Sequence, residues 1–212
     1  MLILYDYELS AEAYAARLML GFLGLDYEPR PVDMFPGAEH LGAAFREISP
    51  LGRMPVLKDG EVTLSDWQAI LVHLAATRDP ARTWLPDDPG GLGAIVQWLG
   101  TARSLAASAG LARDAAAMGV AADVEACRRE ARALLRFIDE HLWFQEQDGR
   151  AWLLDGSLPT LADLAPFPAI MLCEEGGIDR RDYPAIRRWS DRFRRMPGFT
   201  PMSGVFPAAP AA

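Results

Sequence analysis

The feature that most constrains this chain is a change of pattern near residue 90. Before it, short extended runs alternate with helical periodicity; after it, no strand-like alternation returns. The break itself, Trp84-Leu85-Pro86-Asp87-Asp88-Pro89-Gly90-Gly91, is dense in residues that interrupt regular structure. A chain of 212 residues is long for one domain and short for two large ones. The expected organisation is therefore an α/β unit over residues 1–78, a linker over 79–91 and an all-helical unit over 92–212.

In the first unit, Leu2-Ile3-Leu4-Tyr5 reads as a strand. Ser10 offers an N-cap to a helix whose Tyr14, Leu18 and Phe22 recur at helical spacing, and Gly24 suits the left-handed position that closes it. Residues 27–32 form a second strand, placed at a sheet edge by Pro29 and Pro31, which cannot donate to a ladder. A less regular helix follows over residues 39–47. Asp59-Gly60, between Pro55-Val56-Leu57-Lys58 and Glu61-Val62-Thr63-Leu64, is a tight-turn signal and predicts a hairpin. Ser65-Asp66-Trp67-Gln68 has the S-x-x-Q form of a capping box, with Ile70, Leu71 and Leu74 on one face behind it.

Beyond the break, two long helices are expected over residues 92–118 and 122–146. The second carries Val124, Cys127, Ala131, Leu134 or Leu135, Ile138 and Leu142 on one stripe. Thr160 and Asp163, ahead of Leu164, form another capping-box pattern, and Pro166 and Pro168 should bend the helix it opens. A last helix starts at Pro184, buries Ile186, Trp189 and Phe193, and stops before Pro197-Gly198. The tail after Phe206, Pro-Ala-Ala-Pro-Ala-Ala, is the stretch expected to stay unstructured.

Charge and cysteine content narrow the function classes. Asp and Glu outnumber Lys and Arg by 29 to 21, so no global positive field would recruit nucleic acid or an anionic membrane. The run from Asp179 to Arg195 is locally basic, but Asp179, Asp182 and Asp191 interrupt it in the manner of an exposed helix face. Cys127 and Cys173 show neither a C-x-x-C spacing nor a secreted disulfide framework, which fits a reducing cytoplasm. The chain opens without a basic flank or a small-residue cleavage site, and no run of about 18 apolar residues occurs, so neither export nor a membrane span is expected. His73 and His141 lack further ligands at metal spacing, and there is no Walker loop, so no metal or nucleotide is expected.

Four separated segments carry a family resemblance: Leu4-Tyr5 leading to Ser10 and Arg17-Leu18; the run from Ile48 to Leu57, Ile-Ser-Pro-Leu-Gly-Arg-Met-Pro-Val-Leu; Leu64-Ser65-Asp66-Trp67-Gln68-Ala69-Ile70; and Pro159-Thr160-Leu161-Ala162-Asp163. In this order and spacing the chain resembles the cytosolic glutathione transferases, and Tyr183-Pro184-Ala185-Ile186 with Met196-Pro197-Gly198-Phe199 is similar to bacterial members. The resemblance implies a thioredoxin-like N-terminal domain followed by an all-helical C-terminal domain, a cytoplasmic homodimer, and glutathione as cosubstrate.

It also implies site residues. Pro55 would be a cis proline that exposes the Met54 backbone to the cysteinyl backbone of glutathione. Ser10 falls where serine-type members keep the hydroxyl that donates to the glutathione sulfur, and the same serine reads independently as an N-cap. Tyr5, and after it Tyr7, are the competing hydroxyls. Asp66 matches the acid that holds the γ-glutamyl ammonium. Trp67 departs from the pattern: a Ser or Thr ordinarily stands there, so the anion site keeps an N–H and loses a hydroxyl, while the indole suits a ligand contact or a core or interface position equally. His40 and Arg53 lie near the place of the glycyl carboxylate and read equally as surface residues.

The implied activity is conjugation of the glutathione thiolate to an electrophile held against the first long helix of the second unit, around residues 98–109, as in detoxification. A glutathione-dependent isomerase or dehalogenase on the same scaffold is the alternative, and a non-catalytic binding module is a third reading kept open by Trp67.

Overall fold

A computed structural model describes residues 1–202 together with 204 and 205; the proline-alanine tail lies outside them. The N-terminal half is built on a four-stranded sheet in the order β2-β1-β3-β4. Strand β1, Leu2–Asp6, pairs in parallel with β2, Tyr27–Pro31, and antiparallel with β3, Val56–Asp59, which turns back into β4, Val62–Leu64. Two consecutive parallel strands need a crossover, and helix α1, Ala11–Phe22, supplies it. The prolines of β2 stand opposite Leu4 and Asp6 on an edge strand, where their missing donors cost no ladder bond. Residues 39–47 give only a 3₁₀ turn and the one-turn helix α2, Ala43–Arg46.

Helix starts follow the side chains able to accept orphan N–H groups. Ser10 Oγ accepts from the Ala13 N–H at 3.1 Å. At α3, Trp67–Arg78, the structure corrects the capping box read from the sequence: the cap is Asp66, one residue beyond Ser65. Asp66 Oδ1 accepts from the N–H groups of Gln68 at 3.0 Å and Ala69 at 3.1 Å. A carboxylate brings full charge to the positive end of the helix, where a serine hydroxyl brings only a dipole.

Helix α4, Pro89–Leu105, also starts earlier than expected, inside the breaker-rich stretch. Asp88 caps it through the Gly91 N–H at 2.7 Å, and Pro89 fits a first turn that needs no donor. It continues through a π turn, Ala106–Gly110, into α5, Leu111–Met118, and α6 follows as Val124–Gln147. The Thr160–Asp163 capping box forms as expected at α7, Leu161–Leu164. Pro166 then breaks that helix outright, and α8 restarts as Phe167–Leu172. The last helix, α9, is Pro184–Arg194. Part of its basic run is paired: Arg188 and Arg192 both reach Glu146 on α6, at 2.5 and 3.1 Å.

The pattern change near residue 90 divides the classes of structure but not the core. One apolar cluster runs from Leu4 and Leu57 of the sheet through α1 and α3 into Trp98, Leu105, Ala109 and Phe167. Helix α1 is buried nearly all round, which its alanines at 11, 13, 15 and 16 allow by keeping it slim. The C-terminal segment closes on it so tightly that a Cβ on Gly21 would stand 2.6 Å from the Gly198 carbonyl, and Gly198 itself has φ +86°. Phe193 stacks on Phe167 at 4.4 Å, each of these two buried rings contributing roughly 1.5–3 kcal/mol, and meets the partly buried Phe22 edge-on at 5.2 Å. Cys127 and Cys173 are free thiols, the second buried. No helix among the described residues is long and apolar enough to cross a membrane.

Asp163 ties the helical half together: fully buried, it accepts from the main-chain N–H of Leu153 at 2.9 Å and of Thr160 at 3.0 Å, and from Trp189 Nε1 at 2.9 Å. Asp163→Ala strands all three donors, and we expect a loss on the order of 3 to 5 kcal/mol. Urea denaturation monitored by tryptophan fluorescence checks this; an unshifted midpoint would contradict it.

Candidate functional site

A cleft of about 410 Å³ opens between the two halves of the chain. Ser10, His40, Arg53, Met54, Asp66 and Trp67 all stand on its wall; Tyr5 and Pro55 do not. Tyr5 packs edge-on against Phe45 with ring centroids 6.2 Å apart, and Lys58 Nζ lies 5.4 Å from its ring centre. The Tyr7 hydroxyl lies 3.5 Å from the Phe35 carbonyl. Ser10 is 9% exposed at the start of α1, and its hydroxyl donates to Glu12 Oε2 at 3.3 Å.

The loop before β3 is pinned from within. Ser49 Oγ donates to the Arg53 carbonyl and accepts from the Arg53 N–H, both at 2.9 Å. The Met54–Pro55 peptide is cis, and among the described residues nothing pairs with the Met54 main chain. Gly52, at φ +64°, passes so close to the 3₁₀ turn that a Cβ would stand 2.8 Å from the His40 carbonyl. His40 is thereby brought to the cleft, its Nδ1 buried with no hydrogen-bond partner among the described residues, and burial lowers its pKa from the ordinary imidazole value.

Asp66 sits at the centre of the charged end. Besides capping α3, its two oxygens accept from Arg103 Nη2 at 3.1 and 2.9 Å, and Arg53 Nη1 lies 4.0 Å away. Arg103 also reaches Gln68 Oε1 at 2.7 Å, while Gln68 Nε2 donates to the Leu99 carbonyl at 2.5 Å. Burial works to raise the Asp66 pKa, but the hydrogen bonds from Ala69, Arg103 and Gln68 prevail and hold it below the usual carboxylate range. Trp67 takes the core position, 7% exposed, and one side of it also walls the cleft. Asp66 has already taken the N–H groups of Gln68 and Ala69, which leaves the Trp67 N–H as the open donor of this helix start.

Sequence reasoning missed Arg103, Ser65, Glu12 and Asp114, all on the cleft wall. Arg103 lies within the stretch proposed to face the electrophile, and Ala106 and Ala107 do line the cleft. Trp98 does not: it is buried against Phe137 at 5.8 Å and His141 at 5.0 Å. The available signal for Arg103 was a lone charge on an otherwise uncharged helix, which no spacing rule connects to Asp66.

Two family models match the chain: the glutathione S-transferase N-terminal domain over residues 4–82 and the C-terminal domain over residues 107–197. The chain belongs to the glutathione S-transferase family. Among glutathione S-transferases of solved structure, one from Pseudomonas fluorescens superimposes with a TM-score of 0.84 at 26% identity, covering 95% of this chain and 98% of that one. Glutathione S-transferase 1 of Dianthus caryophyllus is 40% identical over 85 residues, 40% of this chain and 38% of its own length. The plant relatives of this kind are matched over only 32–38% of their length. Maleylacetoacetate isomerase of Pseudomonas aeruginosa is 27% identical over 206 residues, 92% of each chain.

The Asp66–Arg103 contact gives a pH signature. A carboxyl held below its unfolded pKa of about 3.9 adds stability above that value and loses it as pH falls through the folded pKa. Arg103→Ala removes one cause of the depression, so the variant should melt lower than wild type at pH 7 by no more than about 1 kcal/mol, the pair being partly exposed. The gap should narrow below about pH 4 as Asp66 protonates. Thermal melts of both proteins from pH 3 to 7 check it; a gap that stays constant would contradict it.

Proposed function

We propose that the chain binds glutathione in this cleft and transfers its thiolate to an electrophilic carbon of a small molecule. What carries the reading is the convergence of Ser10, His40, Arg53, Met54, Asp66 and Trp67 on one wall, from segments far apart in sequence. The unpaired Met54 main chain would add the cysteinyl backbone as an extra strand. Asp66 would take the γ-glutamyl ammonium, exchanging part of its contact with Arg103. The γ-glutamyl carboxylate would meet the Trp67 N–H, with Ser65 and Arg103 offering the donors that a residue-67 hydroxyl would otherwise supply. His40 and Arg53 would face the glycyl carboxylate.

A free thiol with a pKa of about 8.5 is only a few per cent ionised at neutral pH. Ser10 would turn its hydroxyl from Glu12 to the sulfur, and with the N-terminus of α1 would favour the anion against the opposing charge of Glu12. In the transfer, the sulfur forms the new bond to carbon, the leaving group departs with its electron pair, and the thiol proton passes to solvent. The family reading extends to a homodimer, in which exposed Phe137, Trp143 and Phe144 of α6 could find cover, and to a reducing cytoplasm suited to two free thiols and to detoxification. The near full-length match to maleylacetoacetate isomerase favours one second reading, an isomerase that uses the same thiolate.

Ser10→Ala should lower turnover of chlorodinitrobenzene by roughly tenfold or more and leave the glutathione Kd within a few-fold, since other groups hold the peptide. Unchanged turnover would remove Ser10 from the chemistry. Asp66→Asn, which can still cap α3, should weaken glutathione binding by about 1 to 3 kcal/mol in calorimetry. Absence of glutathione binding by the wild type would remove both readings.

A further inference from the structure

The cleft carries opposite charges at its two ends. Arg53 and Arg103 gather around Asp66, whereas Glu12, bonded to Ser10, and Asp114 line the cleft close enough for the charge of Glu12 to act on Asp114. Arg103 and Asp114 lie on one helical run from α4 through the π turn to α5, separated by a rise on the order of 16 Å. The ends are therefore distinct places for a ligand. Around the carboxylates the wall is apolar: Ala106 and Ala107 line the cleft, and an adjoining nook is walled by Ala11, Ala15, Trp67 and Ala102.

The nearest cation neutralises this end only in part. Arg113, 5% exposed, pairs with Asp114 at 3.8 Å but is shared with Glu175 Oε2 at 2.6 Å and the Leu9 carbonyl at 2.7 Å. Burial and the charge of Glu12 push the Asp114 carboxyl up to about 6 against the opposing pull of Arg113, so it is still ionised at pH 7.5.

We propose that Glu12 and Asp114 select the electrophile by charge: this end of the cleft takes uncharged or cationic apolar electrophiles and turns away those carrying a carboxylate. The inference rests on the glutathione-transfer reading, and within that reading it disfavours an anionic substrate of the isomerase type. Two like charges in a partly desolvated wall penalise an approaching anion and leave a neutral ligand of the same shape untouched.

The test pairs 4-chloro-3,5-dinitrobenzamide with 4-chloro-3,5-dinitrobenzoate, each kcat/KM divided by the uncatalysed rate constant with glutathione at pH 7.5. The wild type should prefer the amide by tenfold or more, and the preference should shrink as salt is raised. Glu12→Gln with Asp114→Asn should cut the preference by about tenfold, whereas Glu130→Gln, an exposed charge on α6, should leave it alone. Calorimetry with glutathione and melting temperatures accompany each protein, and Asp114→Asn alone serves if the double variant does not fold. Turnover of the amide with a salt-insensitive ratio, or a ratio unmoved in a folded variant, overturns this inference alone. Bound glutathione without turnover of the amide overturns the transfer reading and this inference with it.

Discussion

The burial of α1 on both sides is the constraint from which the rest of the molecule follows. A helix that crosses between two parallel strands must cover the sheet, and here its other face is covered in turn by the helical half. The slim alanine-rich surface makes that possible, because close approach on both sides leaves no cavity for a larger residue to fill. Since Ser10 caps this helix, its hydroxyl is fixed where sheet and bundle meet. The cleft is therefore a consequence of how two differently built layers share one helix.

Arginines then lock the loops that frame the cleft. Arg113 reaches from α5 to the Leu9 carbonyl, and Arg17 of α1 binds Asp6 and the Glu8 carbonyl at 2.8 Å, so the turn leading into Ser10 is held from both halves. Across the cleft, Arg103 reaches from α4 to Asp66 and Gln68 and joins the start of α3 to the bundle. Such contacts are individually modest where exposed. Their value lies in geometry: charge-assisted hydrogen bonds fix the angle between halves to which the cleft wall is sensitive.

The strands, the crossover, the hairpin and the Thr160–Asp163 box were legible because each depends on a few neighbouring residues. The errors share one cause. Ser65 looked like the cap of α3 by local pattern, yet Asp66 competes for the same N–H groups and wins by charge. Pro89 and the glycines after it looked like linker, yet Asp88 supplied the missing acceptor and helix began there. Trp98 looked like pocket wall from its place in the helix, and the aromatic ring of Phe137 took it into the core instead.

Local rules, period, turn chemistry and caps determined the order of elements, the edge position of β2 and the change from mixed sheet to helices. They marked Ser10 as a helix cap; its place at the sulfur, and the site roles of Met54, Asp66 and Trp67, came from the resemblance carried by short contiguous motifs. The tertiary structure alone decided that Arg103 stands beside Asp66, that Glu12 and Asp114 share the far end of the cleft, and that Tyr5 packs on Phe45 away from it. Each of those outcomes depends on the rotation of one helix or strand about its axis relative to another, which the packing of the whole core sets and no short stretch of sequence encodes.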